Sequence, residues 1–94
     1  MDIGLCISQI AIFGQRQIDA QNNIDVLQTE LEAVTDGDMR DPVTAARHGM
    51  ILKEMTKWKT KLGFYKDFLE FWKDQIKNFF AQIKGSNELA NGAR

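Results

Sequence analysis

The 94-residue sequence predicts an all-α fold, an antiparallel two-helix hairpin of coiled-coil type that assembles into an oligomer or a larger helical bundle. Apolar residues recur at alternating steps of three and four through two long segments, which is typical of helices that pack along a seam. The interior holds one cluster of turn residues, and the chain has one proline, a residue that stops helices. These observations predict one small domain made of two long helices.

The first segment predicts a helix, α1, over about residues 3–35. Ten positions spaced by three and four residues form a stripe along one side of it, and nine of them carry apolar or small side chains. These positions are Ile3, Cys6, Ile10, Phe13, Gln17, Ala20, Ile24, Leu27, Leu31 and Val34. We term this stripe the α1 seam and expect it to pack against the second helix, chiefly through Ile10, Phe13, Ile24, Leu27 and Leu31.

Residues 36–41 form the predicted turn. Gly37 is expected to end α1 in a left-handed conformation, which glycine adopts without steric cost. Asp41 is a suitable N-cap for the second helix, and Pro42 suits its first position, where a missing N–H costs nothing. A connection this short places the two helices antiparallel.

The second segment predicts a longer helix, α2, over about residues 42–84. Its seam has the same spacing, and all ten positions are apolar or aromatic. These are Ile51, Met55, Trp58, Leu62, Tyr65, Leu69, Trp72, Ile76, Phe79 and Ile83. Gly85 is expected to end the helix, so that the hairpin comprises residues 1–84 and residues 85–94 form a flexible tail.

The chain has more apolar surface than a single seam can bury. Four phenylalanines of α2 and three isoleucines of α1 lie off the two seams. They are Phe64, Phe68, Phe71, Phe80, Ile7, Ile12 and Ile18. Leaving four phenylalanines in water forgoes roughly 6–12 kcal/mol, which rivals the stability of a small domain. We therefore expect self-association or a helical protein partner, with a monomer that covers these rings by itself as the alternative.

The expected partner-binding surface lies on α2 and combines its seam with the flanking phenylalanines. Its members are Trp58, Leu62, Phe64, Tyr65, Phe68, Leu69, Phe71, Trp72, Ile76, Phe79, Phe80 and Ile83.

The charges divide sharply between the two halves of the chain. Residues 1–41 hold eight acids and two bases, a net charge of −6, whereas residues 42–94 hold ten bases and five acids, a net charge of +5. Antiparallel pairing of the halves, in one chain or between chains, would neutralise both. A nucleic-acid partner is not expected, because acids are interspersed among the bases and the whole chain carries −1.

The sequence has no catalytic, cofactor or metal-binding motif, so an enzyme is not expected. His48 is the single histidine and lies on the α2 seam, and Cys6, the single cysteine, occupies the α1 seam as a small apolar residue. Asp36, Asp38 and Asp41 lack the twelve-residue calcium-loop pattern and fit turn and capping roles instead.

A membrane-spanning helix is not expected, because no run of 18 apolar residues occurs. Residues 1–13 are apolar but lack the basic region of a secretory signal peptide. The aromatic and lysine-rich stretch of residues 61–84 has a net charge of +2 and is similar to an amphipathic membrane-surface helix, which leaves membrane contact as a further alternative.

In its order of parts the chain resembles the needle-type subunits of bacterial type III secretion systems, which are small helical hairpins with a proline-containing turn. The residues that carry the resemblance are Ile24, Asp25, Val26, Leu27, Gln28 and Thr29 in α1, Asp41 and Pro42 in the turn, and Ile76, Phe79 and Phe80 in α2. The chain departs from that family in the ten residues after Lys84 and in the stretch from Lys61 to Tyr65, where the family has small polar residues.

The resemblance implies polymerisation into a hollow helical filament by a subunit secreted without a cleaved leader. A small cytoplasmic secretion chaperone or adaptor that masks a partner helix is the alternative with the same hairpin architecture.

Overall fold

The structure is a computed structural model that describes the backbone of residues 2–92 and the side chains of residues 2–85. It consists of α1 (Ile3–Thr35) and α2 (Pro42–Gly92), which pack along their lengths in a rod of 80 × 19 × 15 Å. The described residues contain no strand. The predicted all-α helical hairpin is therefore confirmed.

Helix α1 begins after a cap that the sequence analysis did not identify. Asp2 has extended backbone angles, and its Oδ1 accepts a hydrogen bond from the Leu5 N–H at 3.3 Å. Its carbonyl oxygen accepts from the Cys6 N–H at 3.2 Å. The Asp2 side chain thus satisfies one of the backbone donors that the first turn of a helix leaves without partners, and its carbonyl accepts the first hydrogen bond of the helix.

The end of α1 differs from the prediction for Gly37. None of the described glycines has a positive φ, so the expected left-handed cap is wrong. The helix ends in a tightened turn instead: the Asp36 N–H donates to the Glu32 carbonyl at 3.2 Å, and the Gly37 N–H donates to the Val34 carbonyl at 3.0 Å. A Cβ at residue 37 would lie 3.2 Å from that Val34 oxygen, which favours glycine on grounds of space.

Helix α2 begins at Pro42 with Asp41 as its cap. The Asp41 carboxylate accepts from the Val43 N–H at 3.3 Å and from the Thr44 hydroxyl at 2.9 Å, and its carbonyl oxygen accepts from the Ala45 N–H at 3.0 Å. The N-cap at Asp41 and the first helical position at Pro42 are therefore arranged as the sequence predicts.

The far end of α2 lies beyond its predicted position. The helix continues through Gly85 to Gly92, so the expected end at Lys84 and the tail of residues 85–94 are wrong for residues 85–92. Ala93 and Arg94 lie outside the described residues. A glycine lowers helix stability by about 1 kcal/mol but leaves its N–H available, and no proline follows it to interrupt the hydrogen-bond ladder.

The extra length of α2 projects past the start of α1. Phe13 stacks on Phe68, and Ile3 precedes Phe13 by ten residues, so in an antiparallel pair Ile3 lies level with about residue 78. Residues from about 79 to 92 therefore form an overhang of roughly 20 Å. This explains why Ile83 is 42% exposed although it continues the α2 seam.

The two seams face each other and provide the core. Every α1 seam position is buried or half-buried, and so is every α2 seam position except Ile83. Two clusters of buried residues stand out, both toward the turn. One contains Ala20, Ile24 and Leu62, with Trp58 and Tyr65 packed against it; the other contains Val34, Ile51 and Met55, with Leu27 and Leu31 packed against it.

Candidate interaction surface

Three phenylalanines form an exposed ridge on α2, which we term the aromatic surface. Phe64, Phe68 and Phe71 each precede a seam residue by one position, and they are 58%, 48% and 51% exposed. Steps of four and three place them on one side of the helix, next to the seam. They thus form a second apolar stripe that α1 leaves largely uncovered.

The aromatic surface rests on rings that belong to the seam. Phe13 of α1 stacks on Phe68 with ring centroids 5.1 Å apart, and Trp72 meets Phe71 edge to face at the same distance. Between these rings lies a groove of about 440 Å³. Its lining consists of Gln9, Phe13, Asp67, Phe68, Phe71 and Trp72. The groove crosses from one helix to the other, so it depends on the folded hairpin.

The structure divides the residues predicted to bind a partner into two groups. Seven are buried or half-buried along the seam: Trp58, Leu62, Tyr65, Leu69, Trp72, Ile76 and Phe79. Five are exposed: Phe64, Phe68 and Phe71 on the aromatic surface, and Phe80 and Ile83 at the start of the overhang. The hairpin thus uses most of the first group for its own core and leaves the second for outside contacts.

The cost of this exposure is smaller than the sequence alone indicates. The four phenylalanines beside the α2 seam are 48–58% exposed rather than fully exposed, and three of them, Phe68, Phe71 and Phe80, pack against a neighbouring ring. Half of the transfer free energy of four phenylalanines is about 3–6 kcal/mol. That amount is still large compared with the 5–15 kcal/mol that typically separates a folded domain from its unfolded chain.

A second uncovered stripe lies on α1, and we term it the small-residue stripe. It consists of Gly4, Ile7, Ala11, Gly14 and Ile18, each one position after a seam residue. Gly14 is half-buried and the other four are exposed, with Ile7 and Ile18 at 57% and 56%; a Cβ built on Gly14 would meet no described residue within 4 Å. The isoleucines were predicted to lie off the seam, but the small residues that link them at steps of three and four were not predicted to belong to a surface.

The acidic α1 and the basic α2 form no direct ion pair with each other among the described side chains. The salt bridge found there joins Arg40 to Asp38 within the turn, at 3.6 Å. On α1, Asp25 accepts from the Gln21 amide at 3.0 Å. In the same way, Glu32 accepts from the Gln28 amide at 3.2 Å. The expected neutralisation of the two halves is therefore not achieved through ion pairs inside one hairpin.

The basic residues of α2 line its outer sides. Lys53, Lys57 and Lys59 are exposed, and Lys61 lies over the Trp58 ring with its Nζ 4.5 Å from the centroid. Such a cation–π contact holds Lys61 close to the aromatic surface, since Lys61 precedes Phe64 by three residues.

The single histidine and the single cysteine both lie on the seams. His48 is half-buried at the start of the α2 seam, and Cys6 is a free thiol that is 1% exposed on the α1 seam. Within the described part of the chain, no three side chains of the metal-binding types come together. In that same part, neither helix contains a segment long and apolar enough to cross a bilayer.

The chain has no counterpart in the comparisons with known proteins: no protein-family model, no curated protein and no solved structure matches it.

Proposed function

We propose that this chain is a non-enzymatic structural subunit that associates with further copies of itself through the aromatic surface. The observation that carries the proposal is the exposure of Phe64, Phe68 and Phe71 along one side of α2. A contiguous apolar ridge of this kind on a small protein normally marks a site of protein association. Its rigid rings are also suited to serve as anchors at the centre of an interface.

The shape of the hairpin supports the same function. A rod of 80 Å that is only 19 Å across presents a large side surface relative to its volume, so side-by-side packing removes much apolar area from water. The resemblance of residues 24–29, Asp41-Pro42 and the 76–80 segment to secretion needle subunits supports an assembly of the helical-hairpin filament type.

The proposal is tested with the double variant Phe68→Glu/Phe71→Glu, measured by light scattering over a dilution series. We expect the wild-type chain to gain mass with concentration and the variant to remain monomeric, because burying two carboxylates in an apolar contact is strongly unfavourable. Helicity by circular dichroism should stay close to wild type, since both rings are half exposed in the hairpin.

The matched control is Val26→Glu/Val43→Glu. These valines are 58% and 74% exposed and lie outside the aromatic surface, so the same two charges are added elsewhere. The control should assemble like wild type. Equal masses for the wild type and the phenylalanine variant would overturn the proposal. So would a wild-type monomer that enters a fixed-stoichiometry complex with a helical protein, or one that sediments with liposomes in a salt-dependent manner.

A further inference from the structure

The aromatic surface and the small-residue stripe lie on opposite sides of the hairpin. Gln9 lines the groove together with Phe68 and Phe71, so the Gln9 side of α1 faces the same way as the aromatic surface. Ile7 and Ala11 are two residues before and after Gln9, which turns them by about 200° around the helix. The small-residue stripe therefore faces away from the aromatic surface of its own chain.

The two stripes have complementary shapes. The aromatic surface is a ridge of three large rings, whereas the small-residue stripe has no side chain at Gly4 and Gly14 and only a methyl group at Ala11. A Cβ added at Gly14 would meet no described residue within 4 Å, so the described part of its own chain does not require glycine there. Small residues in a helix surface allow large side chains of a neighbouring helix to approach closely.

We propose that a second copy of this chain places the small-residue stripe of its α1 on the aromatic surface of the first copy. This inference rests on the proposed self-association and specifies its interface. The contact is heterologous, because two different surfaces meet. Each copy therefore keeps one free surface of each kind, and assembly continues until a ring closes or proceeds as an open array.

Charge fixes the direction in which the two helices meet. Continued toward the turn at the same spacing, the small-residue stripe reaches Asp25 and Glu32, while the ridge on α2 reaches Lys61 and Lys57. Still closer to the turn, the ridge on α2 continues through Glu54 and Arg47, whose opposite charges add up to zero. Only an antiparallel contact sets the apolar part on the apolar part and an acid opposite a lysine: with Gly14 level with Phe68, Asp25 lies level with Lys57, since each is eleven residues farther toward the turn. Neighbouring hairpins then point the same way.

The acidic and basic residues needed for this contact are available in the single hairpin. Asp25, Glu32 and Lys57 are exposed, and none of them takes part in an ion pair with another described side chain. In this contact the charges of α1 and α2 find partners in the neighbouring copy, whereas among the described side chains of one copy the two helices form no ion pair with each other.

The first test uses two charge reversals, Asp25→Lys/Glu32→Lys and Lys57→Glu/Lys61→Glu. Each variant alone puts like charges in contact, so the concentration for half-assembly should rise by about tenfold or more. An equimolar mixture should assemble again, since the basic α1 of one variant matches the acidic α2 of the other. Recovery in the mixture also shows that both variants are folded.

The second test uses Gly14→Gln, with Gly49→Gln as the matched control. At both positions an added Cβ meets no described residue within 4 Å, so neither substitution begins with a clash in the hairpin, and glutamine is the better helix former. Gly49 lies on α2 about 22 Å along the helix from Phe64. Gly14→Gln should abolish assembly in light scattering, whereas Gly49→Gln should assemble like wild type.

The outcomes separate this inference from the proposed function. If Phe68→Glu/Phe71→Glu is monomeric while Gly14→Gln and both charge reversals assemble like wild type, the aromatic surface is an interface but the small-residue stripe is not its partner. If the phenylalanine variant also keeps its mass, both proposals fail. Loss of assembly in Gly14→Gln, together with recovery in the charge-reversed mixture, supports the heterologous contact.

Discussion

The turn half and the free-end half of the hairpin have the same seam spacing but different packing. Among the described side chains of α2, the buried ones lie between Ile51 and Leu62, and none after Leu62 is buried. On α1, Ala20, Ile24 and Val34 are buried toward the turn, whereas from Asp2 to Asp19 only Cys6 is buried. The two helices therefore enclose a core near the turn, whereas near the free ends they cover their seam residues only in part.

The difference follows from the size of the side chains in each half. Toward the turn the seam consists mainly of aliphatic residues such as Ile24, Val34 and Met55, which two helices can cover. Toward the free ends it contains Tyr65, Trp72 and Phe79, with further phenylalanines alongside. Rings of that size spread beyond the contact of two helices. The turn half stabilises the hairpin, and the free-end half offers the surface for association.

The largest expected effect that tests this comparison is the loss of unfolding free energy in Leu62→Ala, compared with the loss in Leu69→Ala. The substitution is identical and the positions are one heptad apart, but Leu62 is 9% exposed in the Ala20–Ile24 cluster and Leu69 is only half-buried. Leu62→Ala should cost about 2–4 kcal/mol of unfolding free energy and Leu69→Ala about half of that. Urea denaturation followed by circular dichroism measures both.

These measurements belong in the Phe68→Glu/Phe71→Glu background, because association of folded chains would add to their apparent stability. Equal losses at the two positions would show that the free-end half encloses a core as closed as that of the turn half, and the comparison would then be wrong.

A smaller effect on the unfolding free energy is expected at Asp41, the residue that caps the start of α2 in the turn half. Asp41→Ala removes the acceptor of the Val43 N–H and the Thr44 hydroxyl and should lower the unfolding free energy by about 1 kcal/mol. Asp41→Asn keeps an acceptor oxygen and serves as the control, with an expected loss of a few tenths of a kcal/mol. Similar losses for both would assign the effect to the charge rather than to the hydrogen bonds.

Much of the fold can be predicted from the sequence, because local signals and the seam spacing agree. The bounds of α1, the turn and the start of α2 follow from Asp41-Pro42 and from the repeat of apolar residues. The conformation of Gly37 could not be predicted, because a helix can end in a left-handed glycine or in a tightened right-handed turn, and composition does not distinguish the two.

The interaction surface could be predicted only in part. Spacing separates Phe64, Phe68 and Phe71 from the seam, but whether α1 covers them depends on the packing of both helices. The small-residue stripe carries a clear signal, since Gly4, Ile7, Ala11, Gly14 and Ile18 repeat the seam shifted by one residue. Two of the five residues are glycines and one is alanine, and such small side chains add little to a pattern of apolar residues.

The smallest expected effect on stability distinguishes the overhang from the paired part of α2. It is measured by comparing Gly63→Ala, in the paired part, with Gly85→Ala, in the overhang. Both glycines are helical with no positive φ, and among the described residues neither has a neighbour within 4 Å of an added Cβ. Gly63 lies where α1 pairs with α2, so Gly63→Ala should raise the unfolding free energy of the hairpin by about 0.5–1 kcal/mol. Gly85 lies beyond the start of α1, so Gly85→Ala should stabilise only the local helix.

The measurable contrast is between the midpoint of urea denaturation and the helical signal before the transition. Gly63→Ala should move the midpoint, whereas Gly85→Ala should increase the helical signal and leave the midpoint unchanged, because an unpaired helical end opens without unfolding the rest. An equal shift of both midpoints would mean that residues 79–92 unfold together with the paired helices. Contacts in the free-end half would then stabilise the hairpin itself, and its aromatic rings would have a role in folding as well as in association.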